Sequence, residues 1–248
     1  MTMPHAEGRP WLPTGVLLAA GAGRRMGGGK LLRRWPDRDG DVPLVVATAR
    51  VLHRVCETTV VVSAASPEGE RVRAELDAWT AANHSSPGDS AGGDLNGGDV
   101  AGGFQHVLGD SDAPMFHSIL AGFAAALAVR PSASILMHLG DVPCVSRLTV
   151  DAVLVAASGL SAVQRVAAVM PEYQGRGGHP VHVPSALAER IAVLPHDLPG
   201  GLRQWWDAHP EATHRLPVDD AGCRMDLDTP GDWEVGVAAW KVGNTCTR

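Results

Sequence analysis

The chain has 248 residues, 45% of them hydrophobic and 19% charged, with 27 acids against 21 bases for a net charge of −6. That balance gives a folded protein with a real core and argues against a general nucleic-acid surface. No apolar run is long enough to span a bilayer, so no membrane partner is expected. Residues 1–14 hold no apolar leader and are expected to form a flexible segment ahead of one domain at 15–243. Cys56, Cys144, Cys223 and Cys246 are scattered, without a C-x-x-C pair. A structural zinc site is therefore not expected, and the reducing cytoplasm is the expected compartment.

In chain order, Gly15–Ala20 is a short apolar run ending at glycine, which predicts a buried strand. Leu44–Cys56 repeats Val45, Ala49, Leu52 and Cys56 at helical spacing. Thr59–Ala64 is β-branched and predicts a second strand, and Glu68–Thr80 a charged amphipathic helix. Ala82–Gly103 has almost no apolar side chains and is crowded with glycine. Such a stretch cannot bury enough surface to order itself and reads as an insertion. Pro114 opens a helix to Arg130 with the stripe Phe116, Leu120, Phe123 and Leu127, stopped by Pro131. Ser134–Leu139 predicts a buried strand that runs into Gly140-Asp141-Val142-Pro143. Strands follow at Val166–Met170, His179–Val183 and Met225–Leu227, with helices at Ala186–Leu194 and from Pro230. This alternation predicts an α/β sandwich with a mostly parallel sheet, whose ligands gather outside the carboxyl ends of the strands.

The run Leu18-Ala19-Ala20-Gly21-Ala22-Gly23-Arg24-Arg25-Met26-Gly27-Gly28-Gly29-Lys30 falls at such an end. Glycines let backbone N–H groups approach a ligand, and with fixed cations they make an anion cradle. Its spacing rejects two familiar cradles. A Walker A loop needs Ser or Thr after the lysine, and Leu31 stands there. A dinucleotide loop needs its third glycine where Met26 stands.

The same run resembles the signature loop L-A-[AG]-G-x-[GS]-x-R-M-G-x-x-K of the MobA-like nucleotidyltransferases of molybdenum-cofactor biosynthesis. Further elements of that family's pattern follow in order from residue 18 to 233. Gly40-Asp41-Val42-Pro43-Leu44 is similar to its G-x-P-L element, and Pro114–Gly122 to its G-M-x-x-S-L-x-x-G helix start. Gly140-Asp141-Val142-Pro143 is similar to its D-x-P turn, Gly178-His179-Pro180-Val181 to its G-H/N-P element, and Asp226–Asp232 to its D-x-D-T-P-x-D motif. The Ala-Ala-Gly spelling at 19–21 is closer in character to the molybdenum cofactor cytidylyltransferases than to the guanylyl branch. Two positions depart: Pro114 stands for a glycine, and Val142 for the glutamine of the cytidylyl turn.

The resemblance implies a Rossmann-like three-layer fold of the nucleotide-diphospho-sugar transferase type. It implies transfer of a nucleotidyl group, CMP favoured over GMP, from a nucleoside triphosphate to a small phosphorylated acceptor, a molybdopterin, with pyrophosphate released. Mg²⁺ or Mn²⁺ would be held by Asp141 and Asp228; Asp226, on the same face as Asp228 if the segment is extended, is the alternative second ligand. Arg25 and Lys30 would bind the β- and γ-phosphates, with Arg24 facing solvent. Leu18, Ala19, Ala20, Gly21 and Gly23 would line the nucleotide, Ser118 would bond ribose or base, and Gly178, His179 and Pro180 would face the acceptor. Thr229, Pro230 and Asp232 read independently as a helix start. His179 and His182 are expected to point apart and form no joint metal site, and Trp35, Trp205 and Trp206 to pack in the core or at an interface. A transient contact with a molybdoenzyme or its chaperone is a further expectation. Two alternatives stay open at this point: a guanylyl- or sugar-phosphate nucleotidyltransferase, and a nucleotide-binding accessory protein without turnover.

Overall fold

A computed structural model describes residues 12–37, 40–84, 103–160 and 166–245. The expected flexible segment lies outside the described residues as far as residue 11, and the glycine-rich stretch does so at 85–102. Residues 82–84 close a helix instead.

The main sheet is built on β1 (Thr14–Ala19), buried along its whole length. On one side β4 (Thr58–Ala64) and β5 (Phe104–Gly109) continue it in parallel; on the other β6 (Ile135–Leu139) is also parallel. β9 (Val181–Val183) then runs antiparallel between β6 and β7 (Ala168–Tyr173). β10 (Thr213–Pro217) is parallel to β7 at the far edge, and the short β8 (Arg176–Gly177) folds back on β7. The order is β10-β7-β9-β6-β1-β4-β5. β2 (Arg34–Trp35) and β3 (Val42–Pro43) form a separate two-stranded ribbon.

Alternation along β1 and β4 sorts the core into two layers. Val16, Leu18, Val60 and Val62 face α3 (Met115–Val129), α5 (Ser185–Ala192) and α6 (Gly201–Ala208), which contribute Phe123, Ile191 and Trp206. Leu17, Ala19 and Val61 face α1 (Leu44–His53), α2 (Pro67–His84), α4 (Arg147–Gly159) and α7 (Pro230–Thr245). Trp35 is fully buried in that second layer and meets Trp233 edge-on at 5.3 Å between centroids. Helices therefore cover both faces of a mainly parallel sheet, the three-layer Rossmann-like sandwich the alternation predicts.

One predicted strand is absent. Met225–Leu227 joins no sheet; it leaves a 3-10 turn at Ala221–Arg224, and Leu227 N–H donates to the Asp141 carbonyl at 3.1 Å. Its apolar–polar alternation comes from one buried leucine between two acids, not from strand pairing. The strand expected over His179–Val183 starts at Val181, since Pro180 has no N–H for a ladder. β5 and β10 lie at sheet edges, with half-exposed sequences that carry little alternation. α6 was not among the predicted helices, although Leu202, Trp205 and Trp206 are spaced for one helical face.

Candidate active site

β1 delivers the chain into the glycine-rich loop. Ala20–Gly23 leads to a 3-10 turn at Arg24–Met26, and Gly27–Gly29 to another at Lys30–Leu32. Gly27, Gly28 and Gly29 have φ of 77°, 81° and 65°, values that a side chain would strain. Buried Met26 and Leu31 pin the two turns to the body, and the Arg33 guanidinium donates to the Met26 carbonyl at 2.7 Å. Gly21 has a different reason to be glycine. A Cβ there would meet nothing within 4 Å, so its missing side chain keeps a cleft open.

Lys30 is where the loop meets the rest of the site. Its side chain is only 8% exposed, and Nζ donates to Asp141 Oδ2 at 2.6 Å and to Asp228 Oδ1 at 3.0 Å. Burial by itself would lower its pKa, but the charges and hydrogen bonds of Asp141 and Asp228 outweigh it, so the net shift is upward and the ammonium stays charged. Arg25 Nη2 holds the other oxygen of Asp228 at 2.7 Å from an exposed position. Arg24 is exposed as well and pairs across the cleft mouth with Asp112, beyond β5.

The carboxylates are fixed by their backbones. Gly140, just past β6, donates its N–H to the Leu18 carbonyl at 2.9 Å, tying the Asp141 turn to β1. Thr48 Oγ1 from α1 donates to the Gly140 carbonyl at 3.1 Å. His138, with no exposed surface, sets its Nε2 2.9 Å from the Val142 carbonyl. A carbonyl only accepts, so Nε2 carries the proton and Nδ1 is left bare and without a partner. Burial, then the charge of His179, push His138 down to about 3. On the other side, fully buried Leu227 turns its neighbours Asp226 and Asp228 toward the cleft. Thr229 and Asp232 cap α7 reciprocally: Asp232 N–H donates to Thr229 Oγ1 at 3.2 Å, and Thr229 N–H to Asp232 Oδ2 at 2.8 Å.

Leu18, Ala19, Ala20, Gly21, Gly23 and Ser118 all border one cleft of about 430 Å³ together with Arg25, Lys30, Asp141 and Asp228. Residues the sequence reading left out also border it, among them Asp110, Ser111 and Met115. Met115, at the start of α3, is the methionine of the G-M-x-x-S-L-x-x-G element and was given no role there; Asp110 and Ser111 follow β5, and no motif marked them. Asp226 is there too; desolvation, then the charges of Asp141 and Asp228, push it up to about 6. Gly178 and His179 border a second cavity of about 470 Å³ that meets the first at Leu18, Met115, Leu139 and Asp226, whereas Pro180 lines neither.

Among the described residues, no three His, Cys, Asp or Glu side chains converge as a ready metal cage. Asp141 and Asp228 nevertheless aim oxygens at one cationic atom, Lys30 Nζ. Two hard-oxygen donors of that kind fit Mg²⁺ or Mn²⁺, ions that take one or two carboxylates and complete their shell with substrate phosphates and water.

No curated protein matches the chain by sequence. Solved structures share its fold. Rv0371c from Mycobacterium tuberculosis H37Rv is 23% identical, with a TM-score of 0.62 over 92% of this chain and 98% of that one. Its complex with manganese is 22% identical, with a TM-score of 0.57 over 92% and 98%. A nucleotidyl transferase from Methanothermobacter thermautotroptrophicus is 18% identical, with a TM-score of 0.64 over 93% and 99%. The family model of the MobA-like NTP transferase domain matches residues 15–213, a span that includes the glycine-rich loop, Ser118 and Asp141, and the chain belongs to that family.

Proposed function

We propose that the protein transfers CMP from CTP to a phosphorylated acceptor of the molybdopterin class and releases pyrophosphate. Nucleotidyl transfer itself follows from the family; the base and the acceptor are our reading. The observation that carries it is Lys30, buried and held between Asp141 and Asp228 at the end of a glycine-rich loop. A phosphate oxygen of the acceptor attacks the α-phosphorus, the bond to the bridging oxygen breaks, and pyrophosphate leaves with the negative charge. Catalysis of this kind is mainly positioning and electrostatic stabilisation. Arg25 and Lys30 bind the β- and γ-phosphates and stabilise the departing charge, while the loop's N–H groups cradle the chain of phosphates. Asp141 and Asp228 would hold Mg²⁺ or Mn²⁺, which supplies charge neutralisation along the triphosphate. The solved manganese complex of a fold relative supports a divalent ion in this architecture.

Cytosine is favoured for two reasons. The spelling at Ala19-Ala20-Gly21 resembles that of the cytidylyl branch more than the guanylyl one, and the space beside Gly21 is open for a base that contacts the backbone. Ser118, buried in the cleft wall, would bond the ribose or the base. Gly178 and His179 belong to the acceptor side.

The test is a pyrophosphate-release screen that crosses four nucleoside triphosphates with pterin phosphates and sugar phosphates. CTP with a pterin phosphate should turn over fastest, and CTP with Mg²⁺ should raise the melting temperature more than GTP does. Equal or greater stabilisation by GTP removes the cytidylyl assignment. Nucleotide binding without pyrophosphate from any pairing would make the protein an accessory binder. Asp141→Asn and Asp228→Asn should each lower turnover by at least about 100-fold while the protein stays folded.

A further inference from the structure

The second cavity carries a charge pattern opposite to that of the molecule. Arg176 on β8, Arg203 on α6, Arg215 on β10 and Arg224 on the 3-10 turn at Ala221–Arg224 come from four separate elements, yet all border it. Among the described residues only Asp207 and Asp226 oppose them there, in a chain of net charge −6. Arg215 has one distant partner, Glu172 at 3.7 Å, and among the described residues the other three arginines make no ion pair.

Two glycines make room for this arrangement. A Cβ on Gly177 would strike the Met170 sulfur and stand 2.8 Å from Arg215 Nη1. A Cβ on Gly178 would lie 2.6 Å from the Cys223 carbonyl oxygen and 3.0 Å from Arg224 Cγ. The glycines before His179 thus leave space for two arginine side chains. Met115, Met137, Met170 and Trp206 also border it, beside aliphatic Leu18, Ile119, Leu139, Val181 and Leu202. Thioethers and an indole suit a planar, polarisable body.

The arginines are also spread out. Arg224 is two residues from Asp226, at the junction with the first cleft, and its charge reaches that carboxyl. Across the sheet Arg215 pairs with Met170 and Arg176 with Tyr173. That is three residues further along β7, roughly 10 Å. A single phosphate at the junction, beside Arg224, would leave Arg176 unanswered. Guanidinium forks of this kind match carboxylate, phosphate or sulfonate groups.

We propose that this cavity seats the body of the acceptor, that the body is flat, and that it bears a second anionic group, apart from the nucleophilic phosphate, selected by Arg176 and Arg203. This rests on the nucleotidyl-transfer reading of the adjoining cleft.

Two probes test it by calorimetry on the full chain: 1,5-naphthalenedisulfonate, flat with two separated anions, and 1-naphthalenesulfonate, flat with one. The wild type should bind the disulfonate at least about tenfold tighter, the scale of one well-made charged fork. Arg176→Gln and Arg203→Gln should each shrink that preference several-fold. Arg147→Gln, on an exposed arginine of α4 outside the cavity, should leave it unchanged. Equal binding of the two probes, binding of neither, or a preference that survives both cavity variants overturns the proposal. Each titration is repeated with saturating CTP and Mg²⁺. Failure of CTP to bind overturns the reading of the adjoining cleft and leaves the probe comparison standing.

Discussion

Asp226 and His138 show how far single residues here are set by their surroundings. Asp226 is pushed up to about 6 by desolvation and by two neighbouring carboxylates. An acid raised in the folded state holds its proton longer than in the unfolded chain, so stability falls as pH rises from about 4 to about 6 and stays lowered above. Asp226→Asn should therefore raise the melting temperature at pH 8 and leave it nearly unchanged at pH 4; an equal shift at both would refute the coupling. His138 has the opposite sign. Its folded pKa, down to about 3, lies below the unfolded value near 6.5, so its stability contribution is complete above pH 6.5 and drains away as pH falls. By pH 5 the loss is about 2 kcal/mol. His138→Gln keeps a donor near the Val142 carbonyl and should flatten the fall between pH 6.5 and pH 4 in a melting series. No motif singled out His138. Asp226 could be weighed against Asp228 because both stand in D-x-D, but the role of His138 depends on a turn geometry that letters alone do not show.

At the level of elements, legibility tracked burial. β1, β4 and β6 are inner parallel strands, apolar on both faces, and their sequences announce them. β10 sits at the edge with Arg215 and Pro217 exposed, and nothing in Thr-His-Arg-Leu-Pro distinguishes it from a loop. The Asp228 segment misleads in the other direction, since one buried leucine imitates a strand. The first turn of α2 shows how tightly such junctions are built. Gly69 donates its N–H to Ser66 Oγ at 3.2 Å, and a Cβ at Gly69 would collide with the Ala64 carbonyl. Gly69→Ala should cost about 2 kcal/mol or more, a fall of roughly 4–8 °C in melting temperature for a chain of this size. Gly21→Ala, whose Cβ meets nothing, should melt as the wild type does and show any defect only with nucleotide present.

Across the whole molecule the sheet divides the work. The parallel half around β1, β4 and β6 carries the cradle and Asp141, while the half around β7, β9 and β10, with the β8 hairpin, carries the arginine-lined cavity. The first half was readable as motif because its loop residues, Leu18 to Lys30, stand in one contiguous run. The second was not, because its arginines are scattered over four elements between residues 176 and 224 and meet only in the fold.

The Asp141–Leu227 hydrogen bond also sets an order of events. Lys30 leaves the ribosome first, Asp141 follows 111 residues later and Asp228 198 residues after Lys30, yet one ammonium pairs with both acids. β1 likewise waits for β6 across more than a hundred residues of intervening chain. A nascent chain therefore presents the glycine-rich loop long before it can present a complete site. Charge balance around Lys30 therefore waits for Asp228, and a chain not yet synthesised past that residue has the glycine-rich loop but not the pair of carboxylates that holds its lysine.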